Sequence, residues 1–126
     1  MTIWTKHDAV NELFEPARSN QLDELINKST AIFCHDDRIA YTLINYLKLK
    51  GLRVPEDISV VGYDDSYYAT LNTPITTVSH PKAQYGTQAA KAIIDLINNP
   101  RQFDISNYVI EPQLIVRKSV APIKNE

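Results

Sequence analysis

The sequence predicts an α/β fold with a mainly parallel sheet, and two observations carry this prediction. Apolar runs of strand length alternate with longer segments in which apolar residues recur every three to four positions. Strands that alternate with helices of this length are typical of βαβ units, whose strands lie parallel. Residues that interrupt regular structure fall between several of these segments, namely Gly51, Pro55, Pro74 and Pro100. The 126 residues suit one domain.

The first thirty residues predict one short strand and two short helical segments. Ile3-Trp4 can form the strand, and the segment from Asp8 to Phe14 has the pattern of a helix start with Asp8 as N-cap. Pro16 should break or restart this helix. A second short apolar face follows, formed by Leu22, Leu25 and Ile26.

The middle of the chain predicts a strand, a helix and a second strand. The continuous apolar run Ala31–Cys34 is typical of a strand buried on both faces. A helix is expected from about Arg38 to Lys50, with Asp37 as N-cap and Gly51 in the left-handed position that ends it. After the turn 54–57, residues 58–63 form the second β-rich run.

The last third predicts a short strand at 76–78, a helix from Ala83 to Asn98 and a final strand at 113–116. Asn98-Asn99-Pro100 should stop the helix. Its spacing predicts an inward face made of Ala89, Ala90, Ile93, Ile94 and Ile97.

Composition limits the classes of function. The formal net charge is −2, with no basic stripe, so we expect any DNA contact to come from a part outside this chain. Cys34 cannot form an intramolecular disulfide and is expected to be a small buried hydrophobe. No apolar run approaches the ~20 residues that span a bilayer. The chain opens directly into the strand-like Ile3-Trp4 without a signal-peptide pattern, so we expect it to be part of a longer protein.

Two acidic pairs carry the candidate chemistry. Asp36-Asp37 follows the first predicted strand of the βαβ unit and Asp64-Asp65 follows the second. Ligands of open α/β sheets bind outside the carboxyl ends of the strands. Carboxylates there can accept hydrogen bonds from sugar hydroxyls, or they can bind Mg²⁺. We expect Asp36 and Asp64 to point at this crevice, Asp37 to cap the helix and Asp65 to serve the loop.

Other catalytic or cofactor patterns are missing. The histidines His7, His35 and His80 do not have the close spacing of a metal site, so no metal is predicted. The sequence has no GxGxxG, GxxxxGK[ST] or GxSxG motif, and its three glycines exclude a glycine-rich phosphate loop. No cofactor is expected.

A family resemblance covers nearly all of the chain from Ala31 onward. Its frame is the buried strand followed by Asp36-Asp37, and then residues 51–65, which include Arg53-Val54-Pro55-Glu56-Asp57-Ile58-Ser59-Val60-Val61-Gly62-Tyr63-Asp64-Asp65. It resumes at 74–78 and 114–119. This composite resembles the effector-binding domain of the lactose/galactose repressor family. The segment 76–82 looks more like arabinose-responsive repressors, which carry a winged-helix DNA-binding module.

The resemblance implies the C-terminal lobe of a periplasmic-binding-protein-like sensor, an α/β sandwich with a parallel sheet that holds a sugar against a second lobe. Asp64 matches the principal sugar-binding aspartate of the family. Asp36 stands where the family usually has a ligand-contacting asparagine, which keeps an acceptor and loses the amide donors. His80 lies where a ligand-contacting polar side chain is common, and His7 is a weaker candidate. Stacking on Trp4 or Tyr63 would add affinity.

The resemblance also implies how the chain is organised. Residues 1–126 form a single partial domain, and residues of about 79–98 belong to the other lobe of the full-length protein. We expect the face of Ala90, Ile93, Ile94 and Ile97 to pack against its own lobe in an adjusted position or against another chain. The implied homodimer surface consists of Tyr41, Ile44, Tyr67, Tyr68 and Leu71.

The function implied is a non-enzymatic one. The chain is expected to be the sugar-sensing and dimerisation part of a cytoplasmic repressor of arabinose or related sugar metabolism, which meets DNA only through an absent N-terminal domain and does not bind membranes. Two alternatives stay open: a periplasmic-type sugar-binding protein, and a Mg²⁺-dependent phosphotransfer or hydrolase domain built on the four acids.

Overall fold

The computed structural model describes residues 16–123, with the side chains of 16–19 and 106–107 excepted. The predicted strand Ile3-Trp4 and the predicted helix at 8–14 lie outside the described residues. Pro16 begins a helix, as the expected restart requires.

The described chain contains three helices and one four-stranded sheet. Their bounds are α1 Pro16–Asn27, β1 Ala31–Phe33, α2 Asp37–Leu49, β2 Ser59–Tyr63, β3 Thr76–Ser79, α3 Lys82–Asn98 and β4 Gln113–Ile115, with 3₁₀ turns at Tyr67–Thr70 and Ile105–Tyr108. The strands lie in the order β1-β2-β3-β4. The first three are parallel, and β4 runs antiparallel to β3. The predicted α/β class with a mainly parallel sheet is confirmed.

Helix α2 is fixed at both ends by local chemistry. The carboxylate Oδ1 of Asp36 accepts a hydrogen bond from the amide of Ile39 at 2.8 Å, so Asp36 is the N-cap. The prediction that Asp37 caps the helix was wrong by one residue: Asp37 is the first helical residue. Gly51 follows the helix with φ of 80°, a conformation that glycine adopts without steric cost.

The core lies between α2 and one face of the sheet, with α1 beside it. Its buried apolar side chains are Leu22, Ile26, Cys34, Ala40, Leu43, Ile44, Leu47, Ile58, Val60, Ala69 and Ile75. Burying each large aliphatic side chain stabilises the fold by roughly 1.5–3 kcal/mol relative to leaving it in water. This packed layer fixes the positions of the strands, and therefore also the positions of the loops at their carboxyl ends.

Beside β1, the other face of the sheet is open within residues 16–123, which corrects one prediction. Strand β1 was expected to be buried on both faces, but Ala31 is exposed and Phe33 is 63% exposed. Alternate side chains of a strand point to opposite faces, so only Ile32 of this strand meets the core. The continuous apolar run at 31–34 therefore does not indicate a strand that is buried on both faces.

Helix α3 is confirmed, but its predicted inward face is wrong. None of its residues is buried, and Ile94 and Ile97 are 56% and 72% exposed. The face of Ala89, Ala90, Ile93, Ile94 and Ile97 therefore does not pack on its own lobe. The physical reason is that α3 packs mainly against the 3₁₀ turn 105–108, which leaves this face exposed. Packing against another chain stays a prediction.

Candidate ligand site at the carboxyl edge of the sheet

Three parallel strands end at one edge of the sheet, and polar side chains follow each of them. Asp36-Asp37 come after β1, Asp64-Asp65 directly after β2, and His80 directly after β3. Strands β1 and β2 are hydrogen-bonded neighbours, as are β2 and β3. The predicted convergence of the two acidic pairs is therefore confirmed, and His80 joins them.

Asp64 is the most exposed carboxylate of the four. Its side chain is 48% exposed, and Oδ1 lies 3.6 Å from Nε2 of His80. Its backbone has φ of 97°, a region that residues other than glycine rarely adopt, and its amide donates to the carbonyl of Val78 at 2.8 Å. Strained backbone of this kind is concentrated at functional sites. The arrangement holds one carboxylate at the sheet edge with free access from solvent.

Aromatic rings surround His80. Its ring lies edge-on to Tyr63, with centroids 4.7 Å apart, and 5.9 Å from the ring of Tyr85. The hydroxyl of Tyr85 is 3.5 Å from Nδ1 of His80. Tyr85 was not predicted as a site residue. Its position near the start of a helix that begins two residues after His80 is the signal that could have found it.

Asp36 is less available than predicted. It is buried, and Oδ1 is engaged by its capping bond to Ile39. Its other oxygen lies 3.8 Å from Nδ1 of the exposed His35. Asp36 can therefore offer a ligand one carboxylate oxygen.

Asp37 has a role that the sequence analysis missed. It is fully buried, and its two carboxylate oxygens accept hydrogen bonds from the amide of Ser66 and from Oγ1 of Thr77, each at 2.6 Å. A Cβ at Gly62 would lie 2.2 Å from Oδ1 of Asp37, so only glycine fits there. A glycine inside an apolar strand indicates this kind of close approach and was the available signal.

Asp65 serves the loop, as predicted. Its Oδ1 lies 2.6 Å from NH2 of Arg117, whose NH1 also donates to the carbonyl of Ile75 at 3.0 Å. Asp36, Asp37 and Asp65 are thus all engaged by groups of the protein. Within residues 16–123, no group of three His, Cys, Asp or Glu side chains is placed to hold a metal ion. The four acids do not form the ligand set that a Mg²⁺-dependent mechanism needs.

Cys34 lies directly below this edge and is buried, as predicted. Burial, followed by the negative charges of Asp36 and Asp37, raises the pKa of its thiol from 9.0 to about 12. A thiol held protonated in this way is a poor nucleophile at neutral pH.

The remaining predicted residues separate into three groups. His7 and Trp4 lie outside the described residues. Tyr41, Tyr67, Tyr68 and Leu71 form one partly exposed surface, in which Tyr67 is 74% exposed and the rings of Tyr41 and Tyr68 are 5.8 Å apart. Ile44 is only 2% exposed. Its side chain belongs to the core, so its prediction as a dimer contact is wrong.

Comparison with known proteins defines the class. Residues 3–120 match the family described as periplasmic binding protein-like domain, and the chain belongs to that family. Within the described part, no helix combines the length and apolar character needed to cross a membrane.

The individual relatives specify the class further. The chain is 39% identical over 97 residues to the arabinose metabolism transcriptional repressor of Geobacillus stearothermophilus, covering 76% of this chain and 27% of the relative. It is 35% identical over 99 residues to the ribose operon repressor of Haemophilus influenzae, covering 78% and 30%. The lac repressor dimer bound to operator and an anti-inducer superposes with a TM-score of 0.69 at 25% identity, over 82% of this chain and 37% of the repressor chain.

These matches confirm the resemblance to the effector-binding domain of the lactose/galactose repressor family and its periplasmic-binding-protein-like fold. The chain spans less than a third of the length of the two curated relatives.

Proposed function

We propose that this chain is the sugar-sensing C-terminal lobe of a bacterial transcription repressor that controls the use of arabinose or a related pentose. The carrying observation is Asp64, a half-exposed carboxylate in a left-handed backbone conformation at the carboxyl edge of the sheet, beside His80. In open α/β sheets this edge is where ligands bind. The names of the arabinose and ribose repressors among the relatives support a pentose.

The chemistry of the edge suits a polyol. The Asp64 carboxylate can accept hydrogen bonds from two hydroxyls, and His80 can donate or accept according to its tautomer. The rings of Tyr63 and Tyr85 flank His80 and offer apolar surface to the carbon skeleton of a sugar. Asp36 brings acceptors only, so a hydroxyl that meets it must donate. A sugar that leaves these acceptors unpaired is rejected.

The response to sugar needs parts beyond this lobe. In the proposal, residues of about 79–98 belong to a second lobe, and the sugar binds between the two. Tyr41, Tyr67, Tyr68 and Leu71 join two copies. DNA is bound by a separate N-terminal domain, in the cytoplasm where the operators are. Sugar binding shifts the population between lobe arrangements that hold and release DNA, and the coupling comes from the different affinity of each arrangement for sugar. No catalytic step is involved.

The test is a pentose panel measured by calorimetry on the complete protein. L-arabinose, D-ribose and D-xylose are titrated against wild type, Asp64→Asn and the control Glu56→Gln. Glu56 is an exposed acid in the turn before β2, at the other end of that strand. We expect Asp64→Asn to weaken binding by at least about tenfold, since hydrogen bonds to a charged group are lost. Glu56→Gln should bind like wild type. Undiminished binding by Asp64→Asn would refute the site.

A gel-shift experiment separates a repressor from a periplasmic-type binding protein. The complete protein should retard a fragment of its own upstream DNA, and the sugar found by calorimetry should change the retarded fraction. A complete protein that binds the sugar but no DNA at low salt refutes the repressor assignment and leaves the sugar site standing.

A further inference from the structure

One buried carboxylate at this edge has no part in the proposed sugar contacts. Asp37 is fully buried in the first turn of α2. It accepts the amide of Ser66, which follows Asp64-Asp65, and the hydroxyl of Thr77 in β3. A single side chain thus joins the helix, the loop after β2 and the neighbouring strand.

We infer that Asp37 is a positioning residue, which holds the loop Asp64–Ser66 in the shape that receives the sugar and uses the Thr77 hydroxyl as its second point of attachment. This inference rests on the proposed function, in which Asp64 contacts the ligand. Asp37 itself does not touch the sugar.

The hydrogen bonds form a continuous path from Asp37 to the loop. Ser66 is held directly. The Thr77 hydroxyl donates to Asp37 and accepts from the amide of Asp65 at 3.4 Å. Asp64 and Asp65 both have positive φ, 97° and 47°. Two consecutive residues in this region persist only where surrounding contacts impose them. The bonds of Asp37 supply part of that restraint from below the loop, together with the Arg117–Asp65 contact and the bond from the Asp64 amide to the Val78 carbonyl.

The sequence accommodates the buried Asp37 side chain at a cost in stability. A side chain at Gly62 would collide with its carboxylate, and glycine inside a strand weakens the strand. A buried charge also loses hydration that its hydrogen bonds only partly replace. Stability alone would be served better by an apolar residue of similar size. The combination of buried acid and strand glycine therefore favours a role in the shape of the site.

The experiment compares two substitutions of Thr77 in the complete protein, using the pentose that binds wild type. Thr77→Val removes the hydroxyl at nearly constant volume, whereas Thr77→Ser keeps it. Leu47→Ala creates a cavity in the same core away from the loop and controls for lost stability. Asp37→Asn and Gly62→Ala complete the set, since a Cβ at Gly62 would lie 2.2 Å from Oδ1 of Asp37. Affinity is measured well below the Tm of every variant.

We expect Thr77→Val, Asp37→Asn and Gly62→Ala each to weaken sugar binding by about tenfold. Thr77→Ser and Leu47→Ala should stay within about twofold of wild type, a difference below the usual effect of one hydrogen bond. Wild-type affinity in Thr77→Val, while Asp64→Asn loses binding, overturns the inference and leaves the proposed function intact. A loss of sugar affinity in Leu47→Ala as large as that in Thr77→Val also overturns the inference, since the loss would then come from lower stability of the fold. Undiminished binding by Asp64→Asn refutes the proposed function first. Should Asp37→Asn fail to fold, the Thr77 pair decides.

Discussion

Nε2 of His80 lies 3.6 Å from Oδ1 of Asp64, so the residues that directly follow β3 and β2 meet at one point of the sheet edge. The His80 side chain is mostly buried between the rings of Tyr63 and Tyr85, whereas the Asp64 carboxylate is open to solvent. The histidine is therefore held in place by its ring contacts, and a ligand that reaches Asp64 meets an imidazole of fixed position.

His80→Ala should weaken binding of the pentose by about tenfold, because one hydrogen bond and one packed ring are lost from the site. The measurement is calorimetry on the complete protein. Glu56→Gln is the control, since Glu56 is exposed and lies at the other end of β2. Equal losses in the two variants would show that His80 has no special part in the site.

The buried Cys34 thiol makes the free energy of unfolding depend on pH in the alkaline range. Its pKa is raised to about 12 in the folded protein, against an ordinary value of 9.0. Below pH 9 the thiol is protonated in both states and its contribution is fully present. Above pH 9 the unfolded chain loses the proton first, so the free energy of unfolding falls as pH rises towards 12, by up to about 1.4 kcal/mol per pH unit.

Denaturant unfolding of wild type and Cys34→Ala from pH 7 to 10.5 measures this contribution. Tyr46 also has a raised pKa, from burial and from its hydrogen bond to Asp23, but it is present in both proteins and cancels. We expect the stability difference between the two proteins to be constant below pH 9 and to shrink above it. A difference that stays constant to pH 10.5 would contradict the burial of the thiol.

The sequence predicts well what depends on neighbouring residues. The end of α2 just before Gly51, the turn after it and a strand at 76–78 follow from local conformational preference. The structure has all three, with the strand extended to Ser79. The edge where Asp64 and His80 meet follows from the parallel order of the strands.

What failed depends on partners that a local pattern does not contain. Asp36 and Asp37 are both suitable caps, and the positions of Ser66 and Thr77, 29 and 40 residues away, give Asp37 another task. The apolar stripe of α3 predicts that something covers it, but the pattern cannot say which element does so. For the same reason, Ile44 could not be told from an interface residue: core and interface use the same amino acids.

The exposed stripe of α3 provides a test of the proposal that residues 79–98 belong to the other lobe. Ile94→Ser should lower the free energy of unfolding by about 1–3 kcal/mol in a protein that carries both lobes, because a covered apolar side chain is lost. In the 126-residue chain the same change should stay within about 0.5 kcal/mol, as is usual for an exposed position. Urea unfolding measures both. Lys91→Ser on the same helix is the control. An effect of Ile94→Ser that is equally small in both proteins would refute the assignment of residues 79–98 to the other lobe.

The tyrosine surface should control dimerisation. Tyr67 is largely exposed, and Tyr68 packs against Tyr41, so two aromatic side chains are presented on a supported loop. Tyrosines of this kind often carry a large share of the binding energy of an interface. Tyr67→Lys should raise the Kd of the dimer by on the order of tenfold or more, measured by sedimentation velocity across a concentration series. Leu49→Lys changes another largely exposed apolar residue, at the end of α2, and should leave the Kd unchanged. A dimer that resists Tyr67→Lys but dissociates with Leu49→Lys would move the interface to the far end of that helix.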